Sequence, residues 1–179
     1  MTDADTLAEY VVQSNGIEGI YARPGAPLYD DHLNIAQQVW ALSHSNGVPS
    51  PQLVHKRLMC SEPSVTPGVY RLVNVSVGGH RKMPWRDVPQ AMAALLAKAA
   101  DVVNAAELVS SSLQEEFCWD VHNEFEAIHP FRDGNGRTGR LWFNALRLAC
   151  GLPWLTVLAS ERQAYYQRIR DWEKAHRAQ

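Results

Sequence analysis

The stretch His129-Pro130-Phe131-Arg132-Asp133-Gly134-Asn135-Gly136-Arg137-Thr138-Gly139-Arg140 constrains this chain more than any other. It holds one histidine, one carboxylate, three glycines and three arginines within twelve residues. Gly134, Asn135 and Gly136 permit positive φ and close backbone approach where an apolar helical pattern resumes. Successive backbone N–H groups in such a loop, emptying into a helix N-terminus, form a concave anion site. Arg137 and Arg140 are three apart and share a helical face. Two arginines above an anion-binding N-terminus point to a polyphosphate. Asp133 is a hard oxygen ligand in the same loop, of the kind a phosphate-bound Mg²⁺ needs. His129, just ahead of the loop, is the natural general base.

The rest of the chain supplies a scaffold of helical period. At 179 residues and 46% hydrophobic, one core of useful size is expected. Residues 4 to 18 read as a helix with Leu7, Tyr10, Val11 and Ser14 on one face. Glu18-Gly19 ends it. After Pro24, Gly25 and Pro27, Asp30 or Asp31 is expected to cap a second helix that Asn46-Gly47 stops. Ser50-Pro51 opens a short third helix. The period then drops to two: Val73, Val75 and Val77 alternate with Asn74 and Ser76 before Gly78-Gly79. Residues 69 to 83 therefore read as a small hairpin, and the basic pair Arg81-Lys82 as its solvated tip. Val88, Met92, Leu95, Ala99 and Val103 mark a long helix. Ser112 with Glu115 suggests a capping box for the helix that delivers the chain to His129. A buried helix from Asn135 to about Cys150 and a last amphipathic helix through Trp172 complete the order. The fold class is mainly α, a helical bundle with one small β-hairpin.

Several function classes recede on composition. A net charge of −2 gives no general attraction to nucleic acid or to an anionic membrane. No apolar run approaches the ~18 residues of a spanning helix, and the acidic N-terminus carries no signal-peptide pattern. Cys60, Cys118 and Cys150 fit neither a disulfide framework nor a zinc spacing. They read as reduced, buried thiols in a cytoplasmic protein.

The 129–140 stretch resembles the signature of the Fic family, His-x-Phe-x-(Asp/Glu)-Gly-Asn-Gly-(Arg/Lys)-x-x-Arg, at every fixed position. The resemblance implies a Fic-type helical bundle that transfers AMP from ATP, with Mg²⁺, to a Ser, Thr or Tyr hydroxyl of a target protein, with self-modification as a further outlet. His129 would be the catalytic base and Asp133 the metal ligand. Gly134, Asn135, Gly136, Arg137 and Arg140 would bind the nucleotide. Pro130 and Phe131 read as structural, and Tyr165 as a core residue that by family analogy alone could lie near the adenine. The hairpin would be a flap that docks an extended target segment on Val73-Asn74-Val75-Ser76-Val77 by strand addition.

Ser14-Asn15-Gly16-Ile17-Glu18-Gly19 resembles the inhibitory motif of one Fic subclass, (Ser/Thr)-x-x-x-Glu-(Gly/Asn). Ser14 and Glu18 are four apart and share a helical face. Glu18 paired with Arg140 would deny that arginine to the γ-phosphate. The implied division is an inhibitory helix and connection over 1–29 and a core over 30–179. Competing readings are a Doc-like protein kinase, transfer of another nucleotide, removal of AMP, and a non-enzymatic nucleotide-sensing module. Gly136 followed by Arg137 and Arg140 favours AMP transfer over the Doc-like loop, and the presence of both His129 and Asp133 opposes a non-enzymatic role.

Overall fold

The computed structural model describes residues 3–43 and 47–176. Its α-helices are α1 (Asp3–Ile17), α2 (Pro27–Ser43), α3 (Pro51–Leu58), α4 (Val88–Asn104), α5 (Ser111–Ile128), α6 (Asn135–Ala149) and α7 (Arg162–His176). Two short strands, β1 (Ser76–Val77) and β2 (His80–Arg81), pair antiparallel with Ser76 opposite Arg81 and Val77 opposite His80. The mainly helical fold with one hairpin is as expected.

Helix α6 is the axis. Apolar and polar side chains alike are buried along almost its whole length, from Asn135 to Arg147. It divides the core in two. Trp142, Phe143 and Leu146 pack with α4 and α5, through Met92, Leu95, Val121 and Phe125. Leu141 and Ala145 pack with α1, α2 and α3, through Tyr10, Val11, Val39, Val54 and Leu58. Burial of each large side chain of this kind contributes about 1.5–3 kcal/mol, so the bundle is held from both sides of the helix that carries the phosphate loop at its N-terminus.

Local differences have physical causes. Helix α2 begins at Pro27, ahead of the expected cap, because proline suits the first turn and Asp30 turns back to accept from Gly25 N at 3.0 Å. The 29/30 division thus falls inside α2, and α1 shares a core with α2, α3 and α6. The expected stop of α2 includes Asn46, which lies outside the described residues. The cap of α5 is Ser110, whose Oγ accepts from Leu113 N at 3.4 Å, rather than Ser112. Ser50 caps α3 as expected, accepting from Leu53 N at 3.2 Å. Cys60 is exposed, against expectation; Cys118 and Cys150 are buried, with their sulfurs 4.0 Å apart. Among the described residues no helix is long and apolar enough to cross a membrane.

Candidate active site

The phosphate loop is built by one left-handed turn at each end. His129 caps α5 at φ 53°, ψ 64°, its N–H donating to Phe125 O at 2.9 Å. Gly134 caps α6 at φ 72°. Glycine is required there twice over: for the positive φ, and because a Cβ would stand 2.8 Å from Met59 Sδ. Between them Phe131 is fully buried and stacks on His55, ring centroids 3.8 Å apart and 9° from parallel. His55 Nδ1 accepts from Gly68 N at 2.8 Å, so its Nε2–H donates to Asp133 O at 3.0 Å. Burial holds His55 neutral, its pKa pushed down to about 4.

Asn135 braces the loop. Its Oδ1 accepts from Phe131 N at 2.8 Å and its Nδ2 donates to Phe131 O at 2.9 Å. Both side-chain groups are thereby committed to the loop, leaving the backbone as this residue's contribution to an anion site. Asp133 is exposed, with Oδ1 accepting from Gly134 N at 2.6 Å.

His129, Asp133, Gly134, Asn135, Gly136 and Arg137 line one cleft of about 310 Å³, together with Glu18, Ile20 and Val77. His129, the loop and one hairpin residue thus face the same space. The pKa of the His129 imidazole is pushed down to about 3, first by burial, then by the charges of Lys82 and Arg71. The ring is neutral at pH 7, the state in which an imidazole can accept a proton.

Arg140 is 2% exposed. It donates through Nε to Ser14 Oγ at 2.9 Å, and through Nη2 to Ser14 O and Glu18 Oε1, both at 2.8 Å. The Glu18 carboxylate also lies against Gly136, where an added Cβ would overlap Oε1. Glu18 therefore holds an arginine fork and the α6 N-terminus at once, the two features that bind anions. Arg137 Nε and Nη1 and Arg140 Nη1 are buried donors without a hydrogen-bond partner among the described residues. Buried unpaired donors are costly, and polyphosphate oxygens are acceptors of the right charge for them. The residues present fit a nucleotide polyphosphate. They fit Mg²⁺ only in company with it: Asp133 supplies one hard oxygen, and no cluster of three or more metal-ligating side chains exists among the described residues. Phosphate oxygens and water would complete such an ion's shell.

The hairpin is shorter than its valine alternation suggests. Val75 O still accepts from Lys82 N at 3.0 Å, one rung beyond the Ser76–Arg81 pair, but the pairing ends there: Val73 O is taken by Arg71 Nη1 at 2.9 Å and Asn74 Oδ1 by Trp85 N at 3.1 Å. Val73, Asn74, Ser76 and Val77 are exposed and Val75 half-buried; only Val77 reaches the cleft.

Sequence reasoning missed Arg71. It is 3% exposed, and its guanidinium donates to His129 O at 2.8 Å, Val73 O at 2.9 Å, Met83 O at 2.6 Å and Ile128 O at 3.2 Å. It staples the flap to the turn that carries His129. Lys82 corrects the solvated-tip expectation: it is 8% exposed and paired with Glu173 of α7. Tyr165 is a core residue, its hydroxyl donating to His122 Nε2 at 2.9 Å while His122 Nδ1–H donates to Gly139 O at 3.2 Å.

Comparison with known proteins agrees with this geometry. The sequence model described as Fic/DOC family matches residues 52–146. A protein named "Protein adenylyltransferase Fic" from Nematostella vectensis is 30% identical over 120 residues, covering 65% of this chain and 26% of its own length. The protein of that name from Drosophila willistoni is 32% identical over 117 residues, covering 65% of this chain and 22% of its own. The chain thus spans about a quarter of the length of these curated relatives. A Fic domain containing signaling protein from Bacteroides thetaiotaomicron superposes with a TM-score of 0.76 at 16% identity, over 93% of this chain and 71% of that one. A Fic family protein from Desulfovibrio desulfuricans does so at 0.58 and 26% identity, over 96% and 55%. By the match over more than half its length and by its fold, the chain belongs to the Fic/DOC family.

Proposed function

We propose that this chain transfers AMP from ATP to a Ser, Thr or Tyr hydroxyl of a protein and that Glu18 holds it in a self-inhibited state. One observation carries the reading. A neutral His129, the glycine-lined N-terminus of α6 and Arg137 line the same cleft as Glu18, whose carboxylate reaches both Gly136 and Arg140. The relatives named adenylyltransferases support the reaction type.

In this reading the target oxygen attacks the α-phosphorus, the bond to the bridging oxygen breaks, and pyrophosphate leaves. His129 takes the hydroxyl proton on a ring nitrogen. Backbone N–H groups of Gly134 to Gly136 meet phosphate oxygens at the helix N-terminus. Arg137 and Arg140 clamp the outer phosphates in fork geometry once Glu18 withdraws. Asp133 would hold Mg²⁺, which supplies compensation for charge growing on the leaving group. The exposed edge around Val73 to Val77 is the docking place for an extended target segment. The free thiols suit the reducing cytoplasm.

The test is labelling of protein by ATP carrying label at the α or the γ position, with Glu18→Gly beside the parent chain. Label from α only supports AMP transfer; label from γ replaces it with a kinase. The carboxylate of Glu18 in the His129 cleft also suits removal of AMP, read as AMP release from a modified target.

A further inference from the structure

Two of the three thiols meet between α5 and α6, away from the phosphate loop. Cys118 and Cys150 are 0% and 5% exposed, and the Cys118 S–H donates to Cys150 Sγ at 4.0 Å. The contact follows from helical spacing. On α5, Cys118 lies three and seven residues before Val121 and Phe125; on α6, Leu146 and Phe143 lie four and seven residues before Cys150. All six are buried in one core cluster, so both thiols project from the faces that the two helices turn to each other. Packed helix axes lie about 8–10 Å apart with Cα atoms about 2.3 Å off each axis, which brings facing Cα atoms to roughly 4–6 Å. A disulfide spans that distance.

We propose that Cys118 and Cys150 are an oxidation site: a hydroperoxide converts the facing thiols into a disulfide that closes α5 onto α6 and stabilises the fold, and a thiol reductant reopens it. This holds whatever reaction the cleft performs. Two features favour a reactive pair over ordinary packing. The sulfurs touch each other, where a small apolar side chain would have served the core as well. Cys150 also sits at the very end of α6, next to Gly151, which is exposed, at φ 75°, and has open space where a side chain would stand. That end gives a small oxidant its approach and gives the chain the freedom to close the remaining gap.

The order of events follows from the contact. Cys150 is the more exposed thiol, and the bond it accepts from Cys118 favours its thiolate, the reactive form. Its sulfur attacks one peroxide oxygen, the O–O bond breaks, and the departing oxygen leaves as an alcohol, or as water from hydrogen peroxide, with the Cys150 proton. Cys150 is then a sulfenic acid. Cys118 Sγ attacks that sulfur, the S–O bond breaks, and the hydroxyl leaves as water with the Cys118 proton. Two electrons pass from the two sulfurs to the peroxide. The ring so closed runs from 118 to 150 and contains His129 and the whole phosphate loop. Cross-links that enclose long segments restrict the unfolded chain most. Cys60 is exposed, on the turn after α3, and takes no part.

The experiment uses the full chain carrying Cys60→Ser, so that no link between molecules forms through the exposed thiol. The folded protein is treated with a small excess of hydrogen peroxide near neutral pH, alkylated, and digested without reductant. The expected result is a linked peptide pair joining Cys118 to Cys150 and an intact mass lower by two hydrogens. The thermal midpoint should rise by about 5–10 °C, the scale for a loop of this length in a chain of this size, and dithiothreitol should return it. Cys150→Ala in the same background should show no link and no rise. A folded Cys60→Ser chain that keeps both thiols, or that carries sulfinic acid at Cys150 with no link, would overturn the proposal. So would a linked chain that melts no higher than the reduced one. The decisive readouts come from Cys60→Ser alone, so the test stands even where a core variant fails to fold. None of them uses transfer: an absence of labelling by ATP would reject the assignment of the reaction and leave the oxidation site in place.

Discussion

Glu18 Oε1 accepts from Arg140 Nη2 at 2.8 Å while resting against Gly136, so closely that a side chain at that position would displace the carboxylate. The contact puts a carboxylate of the chain where an incoming phosphate would go. Charge-assisted pairs of this kind, shielded from water, are worth about 1.5–3 kcal/mol, or about tenfold to a hundredfold in occupancy. Glu18→Gly should raise transfer by about that factor, with ATP affinity equal or better, in parallel labelling assays. Equal rates in both chains would remove self-inhibition from the account. Gly136→Ala should lose transfer instead, since the methyl expels Glu18 but fills the cradle.

His129→Ala in the Glu18→Gly background should cost about 10²–10⁴ in rate, the usual worth of a general base. ATP binding by calorimetry should persist, because the imidazole faces the nucleophile. Removing the inhibitory carboxylate cannot supply a base, so restored transfer in the double variant would reject the assignment.

Asp133→Ala should weaken Mg²⁺-dependent nucleotide binding and transfer together, since one exposed carboxylate next to Gly134 positions an ion that in turn positions phosphates. Its stability should be nearly unchanged. Activity that survives excess chelator would argue against the metal role.

Arg71→Leu should lower stability by about 3 kcal/mol, because it strips several carbonyls of a buried charged donor. Arg71→Lys should recover only part of that, an ammonium lacking the planar fork. Hydrogen exchange should show the segment 72–83 opening first. Denaturant unfolding that matches the parent chain would show the staple to be dispensable.

Acid should destabilise the fold in a defined window. His55, His122 and His32 are buried, and their folded pKa values lie below the ordinary 6.5, at about 4, about 3 and well below it. The unfolded chain then binds more protons, so stability is full above pH 6.5 and is lost as pH falls. At pH 5.5 His55 and His122 together lose on the order of 3 kcal/mol, and His32 adds to the loss. Glu126 works the other way: burial raises its carboxyl to about 7, so its stabilising neutral form is lost as pH rises through that value. Glu126→Gln should therefore raise the melting temperature at pH 8 and do little at pH 5. The reverse order would show that Glu126 is ionised at less cost than its burial suggests.

What was legible in the sequence was local. The 129–140 loop could be read because its glycines, its arginine pair and its histidine act within one turn and the start of one helix. Ser14, Glu18 and Arg140 were legible as a set only through the family pattern, since no periodicity brings residues 126 apart together. The hairpin was overextended because alternation reports side-chain faces and not the fate of main-chain groups; Arg71 takes Val73 O and Asn74 takes Trp85 N first. Arg71 escaped notice, and Lys82 was read as a solvated tip, for a related reason. A charged residue bonded to distant carbonyls leaves no sequence signal, and on composition alone it belongs at the surface. His55 likewise gives no hint that it stacks on Phe131 and holds Asp133 O.

Helix α1 is not a detachable arm. Leu7, Tyr10 and Val11 are buried in the core that α2, α3 and α6 share, while Ile17 joins a smaller cluster with Tyr165 and Ile169 of α7. Asn15 Oδ1 and His32 Nδ1 are 3.0 Å apart within it, and Gln13 receives Ala159 N at 2.8 Å. Deleting the helix would leave a hole in the bundle before it exposed the cleft. Gly19, at φ 74°, follows Glu18 directly, so the part of this segment able to move at small cost is its final turn. Under the proposed self-inhibition, control of the site amounts to the fraying of a single helical end. Its set-point can be shifted by substitutions around Ile17 and Tyr166, whose hydroxyl donates to Ile17 O at 3.4 Å, with the nucleotide-facing residues untouched.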